Sequence, residues 1–226
     1  MQDNVIDGLV TAAAHPVTVQ VINQGPGILG NVVTAAITAG AAIAAVMLTH
    51  RFTLRRERAA AEDKLARERY FISTELVFRL ERFAQECADV VNDEGEDDGK
   101  GSLRTTASVE AFSVNDIAGD WRVLPDRIQY RIRELTVLIP EANQHISVVR
   151  DWDYPPEWPL TFRERRYQYS RLGMRAILLA KRLRKLNHMP SSRLDANSDW
   201  SAQHVLWKQW RKERKFRARM AREDAV

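Results

Sequence analysis

The sequence predicts an all-α protein: a single N-terminal transmembrane helix, a charged helical stalk, and a cytoplasmic helical bundle of four to five helices. Three observations carry that prediction. Residues 28–48 form an uncharged, apolar run of 21 residues, and a cluster of arginines follows it directly. Beyond the run, apolar residues recur at steps of three and four, the period of a helix face. No strand–helix alternation and no internal repeat interrupts that pattern.

Residues 1–27 are expected to form a short extracytoplasmic tail. Residues 17–22 alternate briefly like a strand, but six residues are too few for a sheet. No Asp, Glu, Lys or Arg occurs between Asp7 and Arg51. At ~1.5 Å per residue the apolar run reaches roughly 31 Å, the thickness of a bilayer's hydrocarbon core. Gly25, Pro26 and Gly27 precede it. Arg51, Arg55, Arg56 and Arg58 follow it and act as topology determinants. Positive charge stays inside, so the N-terminus is expected outside and the remainder in the cytoplasm. A cleaved signal peptide carries its charges on the other side of the apolar run. The competing reading is a buried soluble helix, because the run is rich in Ala and contains Asn31, Thr34 and Thr38. Ala36, Gly40 and Ala44 form a small-residue ridge of the kind that lets two helices associate in lipid.

Residues 49–70 read as a charged juxtamembrane stalk with carboxylates at helical pairing distance from the arginines. Its helix continues to about Val91. Leu76, Leu80, Phe83, Cys87 and Val90 form one apolar stripe, and Phe71, Phe78, Ala84, Ala88 and Val91 a second. Residues 71–226 are expected to make the helical cytoplasmic domain. Residues 92–116, which begin with an acidic, glycine-rich stretch, read as a flexible loop within it. A calcium-loop alignment on Gly99 puts Thr105 where a bidentate glutamate is required, which excludes that motif.

A helix is predicted from Pro125 to Ile139, with Pro140 interrupting or kinking it and a further piece reaching Val149. Residues 151–159 hold three prolines and fit no regular element. Their aromatics Trp152, Tyr154 and Trp158 are expected to be buried over the end of the bundle. From 162 to 186, Tyr169, Leu172, Ala176, Leu179, Leu183 and Leu186 keep a three–four heptad spacing, the mark of a coiled-coil seam. A last helix is predicted from Asp199, as N-cap, to Ala221.

The bulk composition narrows function without naming it. Arginine outnumbers lysine 27 to 7, a bias that a GC-rich genome produces and that points to a bacterial source. The lone Cys87 excludes an internal disulfide and lies among apolar residues as an inert thiol. Histidines stand at 15, 50, 145, 188 and 204, none at ligand spacing from another. No phosphate loop, nucleophile elbow or zinc spacing is present. Hence no catalytic residue, metal or cofactor is expected.

Two basic helices remain. Residues 162–186 carry nine basic residues against one acidic, Glu164. On the last helix Val205, Leu206, Trp207, Trp210, Phe216 and Met220 fall on one arc. Lys208, Arg211, Lys212, Lys215, Arg219 and Arg222 fall on the opposite one. Arg214 and Arg217 break the division. Trp207, Trp210, Lys208, Arg211, Lys212, Lys215 and Arg219 are thus a candidate membrane-surface or partner face. The expectation is a non-enzymatic, single-pass interaction or regulatory protein of the inner membrane. It would self-associate as a homodimer and present the basic domain to a cytoplasmic protein partner. The alternative is a membrane-tethered nucleic-acid-binding protein using helices 162–186 and 199–222.

Overall fold

A computed structural model describes residues 28–195 and 201–223. The chain divides into two compact units, residues 1–57 and residues 58–226. Four α-helices carry the described residues: α1 (Ile28–Asn92), α2 (Asp126–Arg150), α3 (Pro159–Leu186) and α4 (Ala202–Glu223). A two-residue hairpin, β1 (Glu96–Asp97) antiparallel to β2 (Leu103–Arg104), lies between α1 and α2. Residues 1–27, expected above to form the extracytoplasmic tail, and the proposed Asp199 cap lie outside the described residues.

In the first unit α1 is helical from Ile28 onward, and Val32, Val33 and every residue from 36 to 53 are exposed. The helix is long and apolar enough to cross a membrane, and none of its apolar window is buried. Thr49 and Thr53 donate their hydroxyls to the carbonyls of Ala45 and Thr49, at 2.9 and 3.0 Å. These hydroxyls therefore need no further polar partner. That exposure argues against the buried-helix reading of the run.

In the second unit, α1 contributes Ile72, Leu76, Leu80, Phe83, Ala84, Cys87, Ala88 and Val91 to the core. Phe71 and Phe78 are 56 % and 61 % exposed, so the second apolar stripe is buried only in its later part. Burial pushes the Cys87 thiol well above its ordinary range, consistent with an inert core cysteine.

The central helix is α3, which packs on both α2 and α4. Its heptad positions Tyr169, Leu172, Ala176, Leu179 and Leu183 are all buried within the one chain, with Leu186 partly so. The seam is thus a bundle interior and leaves no coiled-coil surface for a second copy. Gly173 marks the closest approach. A Cβ there would lie 2.8 Å from Leu206 Cδ1 on α4 and 2.9 Å from the Cβ of Cys87 on α1. Three helices can meet at this point only because the residue has no side chain.

Two expectations are corrected, one at Pro140 and one at the aromatics of residues 151–159. Pro140 does not interrupt α2, which runs on through it to Arg150. The proline ring deprives the Thr136 carbonyl of its usual donor, a loss that one exposed carbonyl can make up from water. Within residues 92–116 Val114 joins the core, and the Phe112 ring meets Phe83 at 5.2 Å. Among the aromatics of residues 151–159, Trp152 and Tyr154 are 78 % and 79 % exposed. Only Trp158 is partly covered, donating its indole N–H to Ser102 Oγ at 3.0 Å.

Candidate interaction surfaces

The exposed faces are held in place by carboxylates that sequence periodicity did not single out. Asp93, just past the end of α1, is 5 % exposed. It accepts from the Gly95 N–H (2.9 Å), the Thr106 N–H and hydroxyl (3.0 and 2.8 Å), the Ala107 N–H (3.1 Å) and Arg165 Nη1 (2.8 Å). Arg165 also donates to the Ala107 carbonyl, and Arg166 donates to the Asp93 carbonyl at 3.2 Å. Burial pushes the Asp93 carboxyl up, but hydrogen bonds from Ala107, Thr106, Arg165 and Gly95 more than reverse this and hold it far below the usual carboxylate range. This one carboxylate joins α1, the following loop and α3.

Asp153 has the same office at the other end of the loop system. It is 8 % exposed and accepts from the Thr161 N–H and hydroxyl, both at 2.7 Å, in the first turn of α3. Trp158, the residue before α3, has φ of 49° and makes no side-chain cap, so Asp153 supplies the anion that a helix start favours. The hairpin attaches here, with the Leu103 N–H donating to the Pro156 carbonyl at 2.8 Å.

Helix α4 docks on α3 through Ala202, Leu206 and Glu213, all buried. Ser201 receives the His204 N–H at 3.5 Å and stands at the cap position. Arg163 donates to Glu213 at 3.0 Å and its guanidinium lies 3.2 Å from the Phe216 ring centre. Arg217 pairs with Glu164 and stacks over Tyr167 at 3.8 Å. The cation that broke the arc at 217 is therefore a docking residue, and Glu164, the one acid of its helix, is its partner. Arg214 lies over Trp210 at 4.9 Å.

These contacts make α4 a closing helix of the bundle with one side left in solvent. On the apolar arc Leu206 is buried and Val205, Trp210 and Phe216 are partly covered. Only Trp207 and Met220, each 41 % exposed, remain open. The opposite face is intact: Lys208, Arg211, Lys212, Lys215, Arg219 and Arg222 are all exposed. Arg211 sits 5.0 Å from the Trp207 ring centre, joining the two faces.

On α1 the ridge residues Ala36, Gly40 and Ala44 are exposed, and a Cβ at Gly40 would meet nothing within 4 Å. Arg51, Arg55, Arg56 and Arg58 are exposed as well. Among the described residues no group of His, Cys, Asp and Glu is arranged to hold a metal ion. Comparison with protein-family models, with curated proteins and with solved structures gave no match.

Proposed function

We propose that the protein is a single-pass, membrane-anchored interaction protein of a bacterial inner membrane, non-enzymatic, with its helical domain in the cytoplasm. The observation that carries this reading is the burial contrast between the two units. One is an apolar helix with every side chain from 36 to 48 exposed; the other is a domain with its own core. An uncharged helix surface of that length needs lipid or a partner around it. The arginines at 51, 55, 56 and 58 favour the cytoplasm for the helical domain C-terminal to them. The protein partner is expected to meet the basic face of α4, which is exposed and backed by a helix docked through buried groups.

The membrane claim is tested by alkaline carbonate extraction, which a spanning helix resists and a peripheral one does not. Recovery in the soluble fraction would overturn it. Orientation is tested by adding protease from outside. The hairpin should be protected, and cutting between Glu96 and Arg104 would reverse the topology. Co-purification from neutral detergent, compared between the native chain and a Lys208→Glu/Lys212→Glu/Lys215→Glu variant, tests the partner face.

The row of exposed cations on α4 also favours one second reading, tethered nucleic-acid binding. It requires an affinity that falls steeply with salt, with log K declining by roughly 0.9 for each duplex phosphate contacted per unit of log salt. A flat salt dependence excludes it.

A further inference from the structure

We propose that a cleft between α2 and α3, on a face not used by α4, binds a phosphate monoester dianion. Arg127, Arg131 and Glu134 line one wall from α2, and Arg175, Leu178 and Arg182 the other from α3. The spacings of four, three and seven residues place each set on one face of its helix. The cleft has a volume of about 240 Å³. That is below the ~300–1,000 Å³ of sites for drug-sized molecules, and suits a single charged group with a small substituent.

Charge decides the ligand. Glu134 already engages Arg131 at 2.8 Å and Arg175 at 3.6 Å. Arg127 and Arg182 have no carboxylate within ion-pair range among the described residues. The cleft therefore holds four guanidinium groups against one carboxylate, and two of the four are unpaired. A phosphate monoester carries a charge of about −1.5 to −2 near pH 7, with three acceptor oxygens, which matches two free guanidinium forks. A carboxylate or a phosphodiester brings a single charge and leaves one fork unused. Leu178, half exposed beside the arginines, offers an apolar shelf for the carbon substituent.

A soluble phosphorylated metabolite and the headgroup of a lipid ending in a phosphate monoester share this chemistry. The test uses the full chain in a neutral detergent, at ionic strength fixed with potassium chloride. Glycerol phosphate should raise the melting temperature in a saturable way, more at pH 7.5 than at pH 5, since the second proton leaves the phosphate near pH ~6. Arg127→Gln/Arg182→Gln should weaken binding by about tenfold or more, the loss expected for a charge-assisted hydrogen bond. It should leave the melting temperature without ligand unchanged, because both residues are exposed and unpaired. Glu134→Gln, which releases Arg131 and Arg175, should tighten binding several-fold.

A short-chain phosphatidic acid binding more tightly than glycerol phosphate, and losing that binding in the double variant, assigns the site to a lipid headgroup. Equal binding assigns it to the soluble ester. The proposal fails if millimolar glycerol phosphate has no effect, or if the double variant responds like the native chain. It fails equally if Glu134→Gln does not tighten binding. Tighter arginine-dependent binding of a single-stranded oligonucleotide than of the monoester also overturns it, in favour of nucleic acid.

Discussion

Residues 36–48 and residues 72–91 belong to the same helix and are both rich in Ala, Val, Ile and Leu. The first stretch has every side chain exposed; the second sends Ile72, Leu76, Leu80, Ala84, Cys87 and Ala88 into a core. Charge distribution separates them. The second stretch carries Glu75, Arg79, Glu81, Arg82, Glu86 and Asp89, so it has a face for water as well as one for the core. The first carries no charge on any face. A helix with a polar face can bury its apolar one and remain in solution, whereas a helix without one has to be surrounded. The N-terminal stretch is therefore read as a span and the C-terminal one as a bundle helix.

The strongest way to break the comparison is to remove what closes the second unit. Asp93→Ala leaves Arg165, whose side chain is 10 % exposed, without its carboxylate. The loss expected for breaking a buried pair is about 3–5 kcal/mol. Deleting residues 92–113 should be at least as damaging, because it removes Asp93, Thr106, Ala107 and Phe112 together. Shortening only the tip between β1 and β2 should cost little, since Gly99 and Gly101 are exposed with open space around them. Thermal melts of the three variants check this ranking. A bundle that survives loss of residues 92–113 unchanged would show that this segment contributes nothing to the domain's stability.

The four helices were legible because each rests on local spacing: the seam from Tyr169 to Leu183 is buried as its heptad requires. The cross-links were not legible in the same way. Asp93 and Arg165 are 72 residues apart, and no local pattern relates them. A partial signal did exist. Arg165 lies four residues before Tyr169 on the seam's own stripe, and a charged residue at a core position requires a buried counter-charge. Glu164, alone among nine cations, gave a similar hint of its pairing with Arg217. The arginine cleft stayed hidden because it needs α2 and α3 side by side, which their separate patterns do not reveal.

A smaller effect is expected at Gly173, where the comparison sharpens to one atom. Gly173→Ala places a methyl group under 3 Å from Leu206 and Cys87, so the helices must move apart. Overpacking of this kind costs about 1–3 kcal/mol, partly offset by the ~1 kcal/mol that Ala gains over Gly in a helix. Gly40→Ala, with nothing nearby, should leave the domain's melting temperature unchanged. Equal effects at the two glycines would show that Gly173 is not a packing point.

Acid offers a milder perturbation of the same latch. The Asp93 carboxyl is held below its ordinary value in the folded chain, so the unfolded chain binds the proton more readily. Its contribution is therefore complete above the unfolded value of about 3.9 and declines as pH falls below it. Stability should drop more steeply between pH 4 and pH 2 in the native chain than in Asp93→Asn. Parallel acid curves would remove Asp93 from the account.

The smallest expected effect on the domain belongs to the ridge, and it bears on self-association. Ala36, Gly40 and Ala44 are exposed along one side of the apolar helix, and the described residues offer no second apolar helix to cover them. Small residues there let two backbones come close enough for dispersion contacts to outweigh those with lipid tails. Gly40→Ile puts a branched side chain at the point of closest approach while keeping the helix fully apolar. The native chain is expected to be a dimer in mild detergent, and Gly40→Ile should shift it towards monomer with the domain's melting temperature unchanged. Light scattering on the detergent-solubilised protein separates the cases. A native monomer removes self-association from the proposed function. A dimer that tolerates Gly40→Ile places its contacts outside the ridge, and with the seam of α3 already buried, the next surface to test is the exposed pair Phe71 and Phe78.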